Sequence, residues 1–173
     1  MTTRNHPEPA PGAGTSVGAD LTSIRQAALS GEGSLLERVS SLIEQSRAAV
    51  ATQANAALTL RNWYIGHMID VEVLKENRAG YDREIVASLE RQLTKRFGRG
   101  FKRADLYRMI QFSQVFPDEE IVVSLSRQLS WTHVKELLPV RSPEARAYYI
   151  DQAVNARLSV RALRELIGRH GYE

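Results

Sequence analysis

From Ser34 onward, apolar residues recur at the three- and four-residue spacing of amphipathic helices. This spacing predicts long helices over about 34–75, 81–98 and 102–116, the first capped by Ser34. Shorter helices are predicted over 131–138, 143–156 and 160–167, while 121–129 could form a strand or a helix. The predicted fold class is therefore all-α, with a long N-terminal helix before the others.

The first long helix carries an apolar stripe at near-heptad spacing. Polar Ser46 and Gln53 interrupt it, and Gly66 lies inside the helix as either a close packing point or a kink. The stripe can pack on other helices of the same chain or on a second copy, so a homodimer is an open alternative. Its members are Leu36, Val39, Ile43, Val50, Ala57, Leu60 and Tyr64.

Residues 1–33 differ in composition from the rest of the chain. They hold five of the eleven glycines and three of the six prolines. This segment can bury too little apolar surface to offset the conformational entropy lost on ordering. We predict a disordered leader over 1–33, with at most a short helix at 21–29, and a single helical domain over 34–173. Cysteine is absent, and neither a signal segment nor a membrane-spanning run is found, so a cytoplasmic location is expected.

Positive charge is concentrated in one segment of the chain. The formal net charge is +3, but residues 91–108 contain seven Lys or Arg and one acid, Asp105, a local net charge of +6. The remaining residues therefore sum to −3. A cationic patch of this kind indicates a polyanionic partner, although a basic turn is also often simply solvated.

The patch centres on the sequence KRFGRGFKR at 95–103, which joins two predicted helices. Amphipathic helices joined by a glycine-containing turn are typical of a helix-turn-helix DNA reader. On a helical wheel, the second helix places its apolar residues on one side and its Arg, Gln and Tyr residues on the other, where they could contact base edges. The predicted DNA-binding residues are Lys95, Arg96, Arg99 and Lys102 for phosphates, and Arg103, Tyr107, Arg108, Gln111 and Gln114 on the helix.

Aromatic residues near these motifs have a structural and a functional interpretation. Phe97 and Phe101 flank the glycines, and we expect them to be core anchors that pin the turn, with base stacking as the alternative. Trp63 and Tyr64 lie on the first long helix, where packing in the core is expected.

No catalytic residue, metal site or cofactor is predicted. His67 and His133 lie on different predicted helices without ligand spacing, so structural roles are expected. The acids at 118–120 are expected to begin a helix, where negative charge is favourable. A ridge at i, i+4, i+7 spacing could contact phosphates or be a solvated face; its members are Arg157, Arg161 and Arg164.

Four segments, in this order and at this spacing, resemble the N-terminal domain of the YhcG-type family of bacterial PD-(D/E)XK nucleases. They are LRNWYIGHMID (60–70), GYDREIVASLERQLTKRFGRGFKRADLYRMIQFSQVFP (80–117), RQLSWTHVKELLPV (127–140) and ARAYYIDQAVNARLSVRALRELI (145–167). The resemblance covers roughly residues 35–170.

The resemblance implies a helical, winged-helix-like domain that binds DNA and precedes a nuclease domain. A nuclease of this type needs metal-binding acids and an acid-x-Lys pair, and no such set is found here, so the chain is expected not to be an enzyme. Position 102 is Lys where the family commonly has a helix-capping Ser, so the turn is expected to be more basic than in its relatives.

Two functions follow as hypotheses. The first is a non-catalytic DNA-binding module that acts with a separately encoded nuclease in DNA processing or defence. The second is a protein-interaction or oligomerisation module that uses the long N-terminal helix.

Overall fold

The structure is a computed structural model that describes residues 15–29, 32–170 and 172, with side chains from residue 21 onward. These residues form helices and contain no β-strand, which confirms the all-α fold. Because no strand is present there to form a wing, a winged-helix-like architecture stays a prediction. The helices are α1 (Thr15–Leu29), α2 (Leu35–Glu76), α3 (Tyr81–Phe97), α4 (Arg103–Val115), α5 (Glu119–Gln128), α6 (Trp131–Leu137), α7 (Pro143–Asn155) and α8 (Val160–Gly168).

The predicted leader is helical over part of its length. Residues 1–14, 30 and 31 lie outside the described residues, but α1 occupies Thr15–Leu29, which includes and extends the short helix expected at 21–29. The sequence LTSIRQAAL in α1 contains good helix formers, which favours order there. The chain divides into two compact units, one up to Ala51 and one from Thr52, so the division falls inside α2. The boundary expected after residue 33 stays a prediction.

The start of α2 is fixed by a capping box, as its sequence predicts. The Ser34 hydroxyl accepts a hydrogen bond from the Glu37 backbone N–H at 3.3 Å, and the Glu37 carboxylate accepts one from the Ser34 N–H at 2.7 Å. Hydrogen bonds from the Ser34 backbone and side chain hold the pKa of Glu37 below its ordinary value. This reciprocal pair satisfies two N–H groups that the helix cannot satisfy internally.

The second unit is built around α4. Its first two turns contribute Leu106 and Met109 to a buried cluster with Ile69 of α2 and Val86 of α3. Its next turn contributes Phe112 to a second cluster, which also contains Trp63, Val122, Val134 and Leu138 from α2, α5 and α6. Complete burial of a large apolar side chain contributes about 1.5–3 kcal/mol, and α4 supplies such side chains to two of the three buried clusters of this unit.

Gly66 is the point of closest approach between α2 and α4. A β-carbon built at Gly66 would lie 1.8 Å from the carbonyl oxygen of Met109 and 2.7 Å from the backbone nitrogen of Ile110. Backbone therefore meets backbone here, and a side chain of any size would separate the two helices. The prediction of a close packing point at Gly66 is confirmed.

The aromatic residues beside Gly66 have different environments. Trp63 is buried and its indole N–H donates a hydrogen bond to the Phe116 carbonyl at 2.8 Å, so its predicted packing role is confirmed. His67 stacks on the Trp63 ring at a centroid distance of 5.1 Å. Tyr64 is exposed rather than packed in the core, and its hydroxyl bonds to the Glu119 carboxylate. Tyr64 lies next to Trp63 in sequence, so a helix turns the two side chains to different sides.

Side-chain caps begin the shorter helices. The ambiguous segment 121–129 is almost entirely helical because Asp118 accepts hydrogen bonds from the N–H groups of the first turn of α5. Ser130 caps α6 as predicted, and His133 completes the capping box. The His133 ring bonds to the Ser130 hydroxyl at 2.7 Å through Nδ1 and to the Leu158 carbonyl at 2.8 Å through Nε2, which is a structural role.

The contact at Gly66 generates a stability prediction. Gly66→Ala should lower the free energy of unfolding by about 2–3 kcal/mol, despite the higher helix propensity of Ala, because the β-carbon would overlap backbone that cannot rotate away. Urea unfolding followed by circular dichroism measures this loss.

Gly168→Ala is the matched control. Gly168 is also helical, but no atom lies within 4 Å of a β-carbon built there, so this variant should match the wild type or exceed it slightly. If Gly66→Ala and Gly168→Ala had equal free energies of unfolding, the close contact at Gly66 would be contradicted.

Candidate nucleic-acid interface

The turn between α3 and α4 has a backbone conformation that favours glycine. Gly98 has a φ of 80° and Gly100 a φ of 103°, both in the region that L-residues with side chains rarely adopt. The Gly98 N–H also donates to the Thr94 carbonyl at 2.9 Å, which ends α3. The two glycines therefore turn the chain sharply enough for α4 to begin at Arg103, as the sequence predicts.

The first turn of α4 is capped by a residue of α3. Lys102 occupies the N-cap position and makes no side-chain cap, in agreement with the loss expected for Lys there. Instead, the Arg103 backbone N–H donates to the Glu90 carboxylate at 3.1 Å. The carboxylate lies beside the positive end of the helix dipole, where its negative charge is favourable. Glu90 thus supplies the cap that Lys102 lacks.

We define the basic turn as residues 95–102, which carry four cations and no acid. All four side chains are exposed and form no ion pair with any residue the structure describes. The positive charge of the basic turn is therefore not compensated within this part of the chain. Its cations are Lys95, Arg96, Arg99 and Lys102.

The helical wheel of α4 is confirmed by burial. On the apolar side, Ile110 is half-buried, and Leu106, Met109, Phe112 and Ser113 are buried. All five predicted polar residues are exposed on the opposite side. The five are Arg103, Tyr107, Arg108, Gln111 and Gln114.

Four of these five side chains make contacts within the protein, and their contact with DNA stays a prediction. Arg103 Nε lies 3.5 Å from the Glu90 carboxylate, and Arg108 lies 3.8 Å from the Asp105 carboxylate. These two contacts compensate two of the seven cations in 91–108.

The two glutamines of α4 are also engaged. The Gln111 amide donates to the Leu138 carbonyl at 3.2 Å, and the Gln114 amide donates to the Asp70 carboxylate at 2.9 Å. Each amide would have to exchange its intramolecular bond before it could contact a base edge. The uncompensated charge of this surface is therefore on the basic turn rather than on α4.

The two phenylalanines of the turn differ from expectation. Phe101 is half-buried against the cluster of Ile69, Val86, Leu106 and Met109, which confirms it as an anchor of the turn. Phe97 is 62% exposed, so its expected role as a core anchor is wrong. The four-residue repeat from Tyr81 to Phe97 explains the error, because each step advances by about 40° more than a full turn and rotates the last member away from the core.

Two residues that border the basic turn were not predicted from the sequence. Glu90 lies one position before the segment counted as +6, so the count excluded the acid that pairs with Arg103. The Arg61 guanidinium lies 5.4 Å from the centroid of the Phe101 ring, although Arg61 is on α2. A cation of α2 thus lies beside the basic turn. No local sequence pattern predicts this contact between Arg61 and Phe101, because the two residues are far apart in the chain.

The second basic ridge is largely compensated. Arg161 pairs with Glu165 at 3.0 Å, and Arg164 pairs with Glu136 of α6 at 2.6 Å. Arg157, at a φ of 48°, follows the end of α7 and forms no ion pair with the residues described. This surface therefore carries less free charge than the basic turn.

The acids at 118–120 begin α5, as expected. Among the residues with a described position, no three His, Asp or Glu side chains come together as metal ligands. Within the same residues, no helix has both the length and the apolar character needed to cross a membrane.

The fold and this surface define an all-helical domain with an uncompensated cationic turn between two helices. The chain belongs to the DUF1016 N-terminal domain family, whose profile matches residues 38–173. The resemblance to the N-terminal domain of YhcG-type proteins is thereby confirmed.

A curated relative supports the same relationship. The Escherichia coli (strain K12) protein named "Putative nuclease YhcG" is 24% identical in an alignment of 184 positions that covers 88% of this chain and 49% of that protein. The chain therefore spans about half the length of this relative. No solved structure matches the chain.

The ion pair between α6 and α8 generates a pH prediction. The hydrogen bond from Arg164 holds the pKa of Glu136 below its ordinary value of 4.5. A lowered carboxyl pKa stabilises the fold above the unfolded-state pKa, and this stability is lost as the pH falls through the folded-state pKa. Because Arg164 is mostly exposed, the contribution is at most about 1 kcal/mol.

We therefore expect Glu136→Gln to lower the free energy of unfolding at pH 7 by up to about 1 kcal/mol relative to the wild type. The difference should shrink below about pH 4.5. Urea unfolding of both proteins between pH 7 and pH 3 measures it, and a difference that is the same at every pH would contradict the pair's role.

Proposed function

We propose that the chain is a non-catalytic DNA-binding module whose basic turn contacts the phosphate backbone. The uncompensated positive charge of residues 95–102 is the observation that carries the proposal. Four exposed cations on a tight turn can neutralise several phosphates and release their counterions. Gly100 adds exposed backbone to the same surface, where its N–H group can contact a phosphate oxygen.

The residues of α4 have a secondary role in this proposal. Four of the five predicted residues on α4 are held by protein partners; the five are Arg103, Tyr107, Arg108, Gln111 and Gln114. To contact base edges, these side chains would have to give up their intramolecular bonds. Loss of a hydrogen bond to a buried or charged partner costs free energy. We therefore propose that phosphate contacts dominate affinity and that sequence preference is weak.

The family relationship supports a role beside a nuclease. The relative from Escherichia coli is named "Putative nuclease YhcG" and is about twice as long as its matched segment. We propose that the module places a nuclease on DNA in DNA processing or defence, whether that nuclease is in the same polypeptide or separately encoded. The module itself would bind DNA without cofactor or metal.

Salt dependence tests phosphate binding directly. We expect the affinity for a labelled 20-base-pair duplex, measured by fluorescence anisotropy between about 50 and 300 mM salt, to fall with a log–log slope of about −2 to −4, since each phosphate contact contributes about −0.9. Lys95→Glu combined with Arg99→Glu should make this slope shallower by about two and weaken binding at least about tenfold at 100 mM salt.

A second double variant controls for net charge. Arg83 and Arg141 are exposed and lie outside the basic turn, and their replacement by Glu changes the net charge by the same amount. This control should retain most of the binding. A flat salt response in the wild type, or equal losses in the two variants, would contradict the proposal.

A second candidate function is self-association through α2. Its N-terminal half exposes apolar side chains at seven-residue spacing, with Leu36 76%, Ile43 47% and Val50 67% exposed. Exposed apolar residues at this spacing are typical of a helix that pairs with another helix. The partner that fits is a second copy of the chain, because the same stripe is then buried on both helices.

Light scattering coupled to size exclusion tests self-association. We expect a mass twice that of one chain at about 100 µM, and Ile43→Glu should shift the equilibrium to monomer because a charge would enter the apolar contact. Ser41→Glu introduces the same charge on the opposite side of α2 and should leave the dimer intact. A monomeric wild type at every concentration would exclude this function.

A further inference from the structure

Phe97 lies at the protein surface rather than in the core. It is 62% exposed at the end of α3, more than any other aromatic residue among those described. Leaving such a ring in water forfeits about 1.5–3 kcal/mol of burial energy. The fold does not need this ring for its core, so its exposure points to a role on the surface.

The ring lies within the most positive part of the surface. The Arg96 guanidinium is 5.4 Å from the centroid of the Phe97 ring, and Lys95, Arg99 and Lys102 belong to the same turn. An arginine above an aromatic ring keeps its full charge and remains able to pair with phosphate. An apolar ring and uncompensated cations are therefore available to one ligand at one place.

Phe97 also has a rigid support. Its ring contacts that of Phe101, with centroids 6.2 Å apart and planes inclined at 59°. Phe101 is anchored against the core, and Arg61 of α2 lies over it. The support limits the movement of Phe97 and so lowers the entropic cost of placing another ring on it.

These features match the chemistry of single-stranded nucleic acid. Proteins that bind single strands combine a cationic surface that follows the phosphates with aromatic rings on which bases stack. Bases in a duplex are already stacked on each other and cannot reach such a ring, whereas unpaired bases can. An acidic protein would satisfy the cations but supplies no flat ring for Phe97.

We propose that Phe97 is a stacking site for an unpaired nucleobase and that the basic turn consequently prefers single-stranded over duplex DNA. This inference rests on the proposed DNA-binding function and names the form of DNA that the same surface takes.

The test compares one 20-nucleotide DNA of mixed sequence as a single strand and as a duplex, at 100 mM salt. The wild type should bind the single strand more tightly. Phe97→Leu keeps an apolar side chain but removes the ring. It should weaken single-strand binding by about tenfold. Loss of one base–aromatic stack lowers affinity by roughly 5- to 150-fold, and the expected effect lies within this range. Its duplex affinity and its salt slope should be unchanged, because no phosphate contact is removed.

Two further variants separate stacking from other effects. Phe97→Trp should retain single-strand affinity, and its added fluorescence should be quenched by the single strand and not by the duplex. Tyr172→Leu removes an exposed aromatic residue outside the basic turn and should bind both DNAs as the wild type does.

Three results have distinct meanings. Salt-dependent binding that Phe97→Leu leaves unchanged, or weakens equally for both DNAs, overturns the stacking site and leaves the proposed function standing. Loss of self-association in Phe97→Leu, with DNA binding intact, shows that Phe97 contacts protein instead and also overturns it. Absence of salt-dependent binding to either DNA contradicts the proposed function itself.

Discussion

The backbone contact between Gly66 of α2 and Met109 of α4 is the constraint on which the second unit depends. A β-carbon at Gly66 would lie 1.8 Å from the Met109 carbonyl oxygen, so the two helices are as close as a glycine allows. On either side of this contact, Trp63 donates its indole N–H to the Phe116 carbonyl and Ile69 packs with Leu106. The crossing thus holds α4 against α2 at this point.

The position of α4 also determines which part of the surface carries free charge. With its apolar side against the core, its polar side chains lie within reach of Glu90, Asp70 and the Leu138 carbonyl. Glu90 pairs with Arg103, and the other two neighbours accept hydrogen bonds from the glutamines of α4. The basic turn precedes the packed part of α4, and its four cations form no ion pair with the residues that the structure describes. The separation of a compensated helix from an uncompensated turn favours phosphate binding over base reading.

Local signals in the sequence predicted the helices well. Ser34 and Ser130 cap helices where the sequence places them, and Gly98 ends α3, because capping depends on a few adjacent residues. The ambiguous segment 121–129 was decided by Asp118, whose bonds to the first turn of α5 favour a helix over a strand.

Contacts between distant residues could not be predicted in this way. Gln114 bonds to a residue 44 positions earlier and Gln111 to one 27 positions later, and a helical wheel carries no information about either partner. The exposure of Phe97 follows instead from accumulated helical rotation, which is calculable from the sequence but requires the direction of the core to be known. The fold was therefore more predictable than the state of the charges at the candidate interface.

Chemical protection of lysines tests the central claim, that the basic turn is the DNA-contacting surface, most directly. The chain has four lysines, of which Lys95 and Lys102 lie in the basic turn and Lys75 and Lys135 lie outside it. Acetylation rates measured by mass spectrometry, with and without saturating DNA at low salt, compare all four in one sample. We expect DNA to slow the acetylation of Lys95 and Lys102 and to leave the acetylation rates of Lys75 and Lys135 unchanged. Equal rates at Lys95 and Lys102 with and without bound DNA would contradict it.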